Sequence, residues 1–297
     1  MRLLKMKSRP KELVSLQATA AVGQHLLMNE YRKFFEKKGL TCAQILLTWE
    51  DFDDRKRYLN AKNTLLTLLE LGSVPVINEN DTISTDEIRF GDNDHLSALV
   101  ATMINADLLI ILSDVDGLLD KNKKVVKVVS QISAEVRELA SPTNRQTSIG
   151  GMVAKIEAAK ISVDSGIPCV IASGRNKKGI PDIVSNPASM GNWTLFVPKK
   201  GSLAARDRWI AFGTKPKGKI IVDDGAKTAL KNNKSLLSVG VIGVEGDFEC
   251  ADIVTILDKQ NSEFARGKTS LSSKQIDKIK GTRFNKEIVH RDNIVML

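Results

Sequence analysis

The sequence predicts an α/β protein whose main body is a mostly parallel sheet, followed by a smaller β-rich unit. Two observations carry this. Up to about residue 198, apolar β-branched runs alternate with segments of helical period, the pattern of βα units. After Trp209 the texture changes to short strands separated by turn signals.

Taken in order, Leu13, Leu16, Ala20, Leu27, Tyr31 and Phe34 fall near helical spacing between Lys11 and Lys38, and Gly39 stops the run. Ala43 to Thr48 reads as a strand. A helix through Ala61 to Leu71, closed by Gly72, leads to a strand from Val74 to Ile77. A helix from Leu96 to Asn105 leads to a strand from Leu108 to Leu112, and a helix from Met152 to Gly166 to a strand from Pro168 to Ala172. Gly174 to Gly179 is a basic loop. Asn186 to Arg208, with Pro187, Gly191, Pro198 and Gly201, reads as a terminal strand and a linker. The expected organisation is a first domain over 1–198, a linker over 199–208 and a second domain over 209–297. In the last, Lys219 to Val222, Val239 to Gly243 and Ile253 to Leu257 are strands, and Asp223-Asp-Gly225 is a turn.

At 297 residues and 42% hydrophobic, the chain is long enough for one large core and a small one. No window approaches the roughly 18 uncharged apolar residues of a membrane span, and the opening Met1-Arg-Leu-Leu-Lys-Met-Lys7 lacks the apolar core of a signal peptide. The expectation is a cytoplasmic protein with no membrane partner. Cys42, Cys169 and Cys250 lie far apart and read as buried thiols. The three histidines are scattered, which argues against structural zinc and Ser-His-Asp chemistry and leaves carboxylate and magnesium chemistry. A net charge of +9 suits nucleic acid or an enzyme that handles polyanions. From Arg206 onward, 17 Lys and Arg face 12 Asp and Glu, so this third holds over half the excess.

Four segments carry chemistry. Val74-Pro-Val-Ile-Asn-Glu-Asn-Asp81 is a strand that closes on carboxylates and amides, and Gly91-Asp-Asn-Asp94 repeats that chemistry at the start of a helix. Either cluster alone fits a turn or a helix cap; together they read as the lining of one polar pocket at a strand's carboxyl end. Ser113, Asp114 and Asp116 follow an apolar strand, where they can face a nucleotide or magnesium, or form a plain Asp-Gly turn at Gly117. Ile149-Gly-Gly-Met152 opens a helix whose exposed N–H groups attract phosphate, with Lys155 one turn inside. Lys155 also fits a solvated helix lysine, and the Walker A spacing is absent.

With Gln17-Ala-Thr-Ala-Ala-Val-Gly-Gln24, Leu46-Leu-Thr48 and Arg57-Tyr-Leu-Asn-Ala61 added to these segments, the chain resembles the glutamate 5-kinases, amino-acid kinases with a C-terminal PUA domain. Gly218-Lys-Ile-Ile-Val-Asp-Asp-Gly-Ala226 and Val289-His-Arg-Asp292 resemble the appended domain. The resemblance covers nearly the whole chain. It implies an αβα sandwich, ATP and Mg2+, and phosphorylation of the side-chain carboxylate of L-glutamate, the first step of proline biosynthesis. It further implies that Asp81, Asp92 and Asn93 hold glutamate, and that Asp94 orients catalytic lysines, of which Lys155 is one. Ser113, Asp114, Ile149, Gly150, Gly151, Met152 and Lys155 would then contact the nucleotide. Ser113, Ile149 and Ala154 stand where the family usually has threonine. Relatives self-associate through the kinase domain, so a homo-oligomer is expected.

The family also begins with two sheet elements carrying a lysine, a Gly-Ser phosphate loop and a glutamate-binding serine. This sequence opens beyond them, which sets the expectation of a chain incomplete at its front, with uncertain activity. Two other readings stand beside a glutamate 5-kinase: another amino-acid kinase, or a non-catalytic protein whose basic C-terminal domain contacts RNA. The appended domain argues against the first. Sparse Lys/Arg runs and few interleaved aromatics argue against the second, since Trp209, Phe212, Phe248, Phe264 and Phe284 read as core.

Overall fold

The computed structural model describes residues 10–84, 93–140, 151–176, 179–189, 191–198 and 205–297. The chain divides into two compact units, Met1–Ser202 and Leu203–Leu297.

Unit 1 begins with α1 (Leu13–Glu36). It ends where Gly39 takes φ 68° and Leu40 N–H bonds back to Phe35 O at 3.0 Å, a left-handed stop that suits glycine. Then come β1 (Thr41–Leu47), α2 (Glu50–Asp53), α3 (Arg55–Glu70) and β2 (Ser73–Glu79). Thr48 N–H donates to Asp51 at 2.6 Å and Asp54 accepts from Arg57 N–H at 2.8 Å, so aspartates fix the start of both α2 and α3. Next are α4 (Asn93–Ile104), β3 (Leu109–Ser113), β4 (Val128–Val129), α5 (Ala134–Leu139), α6 (Met152–Asp164), β5 (Cys169–Ser173), α7 (Gly179–Ser185) and β6 (Trp193–Phe196).

Among the described residues of unit 1 the strands form two sheets. β1 pairs in parallel with β2, and a four-stranded sheet runs β3-β5-β6-β4. The expected parallel pairing holds for β1–β2 and β3–β5, whereas β6 runs antiparallel to β5. The apolar run of a strand shows burial but not direction. Two further corrections concern the site. Asn78 and Glu79 lie inside β2, opposite Leu46 and Leu47 of β1, and Asn93 and Asp94 lie inside the first turn of α4.

Helices α4 and α6 pack through small side chains, with Ala98, Ala158 and Ala159 fully buried. They touch at both ends: Asp94 meets Lys155 near the amino ends, and the Thr102 hydroxyl lies 3.3 Å from Ser165 near the carboxyl ends. The helices therefore lie side by side and parallel. Each passes through a short link into its strand, β3 or β5, so both amino ends sit at the carboxyl ends of those strands.

Unit 2 opens with α8 (Ala205–Arg208), inside the stretch expected as linker, and a π-turn at Trp209–Gly213. β7 (Gly218–Val222), α9 (Asp224–Lys231), β8 (Val241–Glu245), β9 (Ile253–Leu257), β10 (Glu263–Lys268), α10 (Ser273–Ile279) and β11 (Ile294–Met296) follow. The sheet order is β11-β10-β9-β7-β8 around a core that includes Val254, Ile256 and Phe248. The expected turn at Asp223 is a helix start, with Asp223 accepting from Ala226 N–H at 2.7 Å. Expectations of burial fail at Cys250, which is exposed, and at Phe284, which is 46% exposed, and Cys42 of unit 1 is only partly buried.

Candidate functional site

The residues expected to carry chemistry gather at one end of unit 1. Lys155 Nζ lies 2.7 Å from Asp94 Oδ2, with the two side chains only 15% and 17% exposed. The pairing follows from the parallel packing of α4 and α6, since each residue occupies the first turns of its helix. Two positive dipole ends converge there, and one carboxylate and one ammonium offset each other beside them. The Asp94 charge also reaches inward. It adds to burial, the larger cause, in pushing the Cys169 thiol far above the usual range.

Gly151 caps α6, and its side-chain position faces open space. Met152 is the first residue of that helix. Ile149, Gly150 and Asp92 lie outside the described residues.

Beyond β2, Asn80 N–H still bonds to Leu47 O at 2.8 Å, so the ladder holds the polar cluster in place. Asn78 Nδ2 donates to Gln24 Oε1 of α1 at 2.9 Å, and the Ser84 hydroxyl donates to Glu79 Oε1 at 3.0 Å. Asn78, Glu79 and Asn80 are thus tied into the scaffold. The Asp81 carboxylate is half-buried and pairs with no described residue. Asn93 is exposed at the start of α4, which packs against β2.

Ser113 closes β3 in register with Ser173 of β5, and its hydroxyl lies 3.2 Å from the exposed Asp114 carboxylate. Gly117 is a packing residue: a Cβ there would sit 2.5 Å from the Thr194 hydroxyl, which accepts from Leu118 N–H at 2.9 Å. Around these strand ends opens a cleft of about 990 Å³, lined by Asp114 and Asp116 together with Lys123, Lys124, Lys127 and Arg175. The sequence marks the basic loop that holds Arg175 but assigns no role to the lysines, whose only local signal is their density between Lys121 and Lys127.

No helix among the described residues is long and apolar enough to cross a membrane. Residues 1–173 match the amino acid kinase family, and residues 218–290 match the PUA domain. A glutamate 5-kinase of Thermoanaerobacter sp. (strain X514) is 43% identical over 99% of this chain and 83% of its own length. One from Caldanaerobacter subterraneus subsp. tengcongensis is 45% identical over the same shares. Among solved structures, UMP kinase from Ureaplasma parvum matches 55% of this chain and 60% of its own, at 11% identity and a TM-score of 0.36. The family match and the near full-length relatives together place the chain in the amino acid kinase family, among the glutamate 5-kinases with an appended PUA domain.

Proposed function

We propose that this chain transfers the terminal phosphoryl group of ATP to the side-chain carboxylate of L-glutamate, giving L-glutamyl 5-phosphate and ADP, the first step of proline biosynthesis. The observation that carries the reading is the Lys155–Asp94 pair, set where the amino ends of α4 and α6 meet beside the acid and amide residues of β2. The side-chain carboxylate of glutamate ordinarily titrates at about 4.3 and is ionised near neutral pH, so the acceptor needs no general base. A carboxylate oxygen forms the new bond to phosphorus while the bond to the bridging oxygen of ADP breaks.

The enzyme's task is to bring two anions together. The Lys155 ammonium, held in place by Asp94, offsets charge on the transferring group, and the N–H groups at the start of α6 add to it. Asp81 and Asp92 suit the α-ammonium of glutamate, and the Asn93 amide can donate to one of its carboxylates. Ser113 and Asp114, with the Ile149-Gly150-Gly151-Met152 segment, contact the nucleotide.

Magnesium carried on nucleotide phosphates keeps several waters and needs one or two protein carboxylates. Asp114 and Asp116 in the cleft meet that need, and among the described residues no group of three or more His, Cys, Asp or Glu is placed to hold a metal. Such an ion, held by Asp114 and Asp116, would offset the negative charge of the phosphates.

The test is glutamate-dependent ATP turnover with hydroxylamine trapping of the acyl phosphate, and aspartate as control. Hydroxamate formed only with glutamate supports the reading; ATP turnover indifferent to glutamate sinks it. Self-association through unit 1 fits α1, which buries none of its residues and leaves Val14 and Phe34 on the surface.

A second reading concerns unit 2. There Lys234 and Arg291 rim a cleft of about 680 Å³ over Ala226, Ala229, Leu237 and Val239, chemistry that suits RNA. Binding that falls steeply with added salt supports it; no binding of a mixed RNA at low salt removes it.

A further inference from the structure

The cleft at the carboxyl ends of β3 and β5 holds more positive charge than its own carboxylates balance. Four cations, Lys123, Lys124, Lys127 and Arg175, face two acids, Asp114 and Asp116. One cation is committed to structure: Lys127 Nζ donates to Gly191 O at 2.8 Å and to Asn192 Oδ1 at 3.4 Å, joining β4 to the turn before β6. The ammonium groups of Lys123 and Lys124 and the Arg175 guanidinium make no hydrogen bond or ion pair with any described residue. Three cations with no partner among the described residues leave this concave site more positive than Asp114 and Asp116 offset, which favours an entering anion.

Two of them stand on a tight hairpin that is held without help from their side chains. Leu119 and Val125 form an antiparallel bridge, and Asp120 N–H bonds to Lys124 O at 2.8 Å. The Asp120 carboxylate accepts from Asn122 N–H at 2.8 Å and from Lys124 N–H at 2.9 Å. Lys123 sits at φ 61°, where glycine or asparagine is the comfortable residue. The hairpin therefore keeps a lysine at a position whose backbone disfavours it, and that lysine lines the cleft.

We propose that Lys123, Lys124 and Arg175 grip the phosphates of the nucleotide, making the hairpin between Leu119 and Val125 a nucleotide-affinity element of this site. The proposal rests on the reading of this cleft as the nucleotide site. A nucleoside triphosphate is the polyanion that would satisfy all three cations, through charge-assisted hydrogen bonds. The neighbouring Asp114 and Asp116 suit ribose hydroxyls or a phosphate-borne magnesium ion rather than bare phosphate.

Calorimetric titration of the 297-residue chain with ATP, ADP and adenosine tests this, using Lys123→Gly, Lys124→Gln and Arg175→Gln. Lys123→Gly is the decisive variant, because glycine relieves the left-handed backbone while the cation is lost, so its melting temperature holds or rises. The expected result is an ATP affinity lower by about tenfold per variant, a smaller loss for ADP and none for adenosine. Variants that bind ATP as tightly as the parent overturn the proposal alone. Equal losses for ATP and adenosine overturn the assignment to phosphates. A parent chain that binds neither ATP nor ADP overturns the nucleotide reading of the cleft and the proposal with it.

Discussion

Replacing Asp94 with asparagine probes the proposed catalytic centre most directly. The carboxylate lies 2.7 Å from Lys155 Nζ, and both side chains are about five-sixths covered. At an effective dielectric of about 20, two unit charges at that separation attract by about 6 kcal/mol before the cost of removing them from water. Asparagine keeps the shape and still accepts a hydrogen bond, so the net loss of folding stability is smaller, about 1–3 kcal/mol. In a unit of this size that lowers the melting temperature by roughly 2–10 °C. The effect on rate is larger. A lysine released from its anchor shifts relative to the phosphoryl group, and a misplacement of about 1 Å, or loss of one oriented donor, costs on the order of 100- to 1000-fold in kcat. With the variant folded, the hydroxamate assay is expected to show that loss, with KM for ATP and glutamate within about threefold of the parent. A kcat within about threefold of the parent refutes the orienting role of Asp94. Lys155→Arg is not expected to substitute for lysine, because a planar guanidinium cannot occupy the place of a compact ammonium.

Asp81→Ala is expected to raise KM for glutamate about tenfold or more while KM for ATP stays within about twofold; equal rises would remove Asp81 from the acceptor site. Gly117→Ala puts a methyl 2.5 Å from the Thr194 hydroxyl and 3.0 Å from Thr194 N, and is expected to cost about 1–3 kcal/mol of stability in a thermal melt. Parent-like melting would show that Thr194 yields. Titration with a thiol reagent at about pH 8 should modify exposed Cys250 at once and Cys169 only after unfolding, because burial, helped by the Asp94 charge, raises the Cys169 thiol. Fast reaction at Cys169 in the folded chain contradicts its placement. In unit 2, the hydrogen bond from Lys227, then the Ser262 N–H, holds the Asp258 carboxyl below its ordinary value. A depressed folded value means that this stabilisation is present above the unfolded pKa, about 3.9, and is lost as pH falls through the folded one. Asp258→Asn should therefore flatten the decline of stability below about pH 4, and an unchanged decline removes the pair from acid unfolding.

Those residues also show what a linear reading can and cannot reach. The strand at Ile253–Leu257 is legible within its bounds, because five consecutive apolar or β-branched residues buried on both faces leave no other use for the segment. The end of β2 is not, because the backbone ladder to β1 carries Asn78 and Glu79 along whatever their side chains prefer. Asp223 reads as a turn because a turn and a helix cap use the same bond from a carboxylate to a nearby N–H, and only the packing of α9 decides between them. The proposed catalytic centre lies further beyond local pattern. Asp94 and Lys155 are 61 residues apart, and nothing near either names the other; only resemblance links them ahead of geometry. The cations of the proposed nucleotide cleft escape even that. Lys123 and Arg175 acquire meaning only once β3 and β5 are adjacent and in register, because a lysine in a charged hairpin and an arginine in a loop each look like ordinary solvated surface until the fold sets them around one concavity.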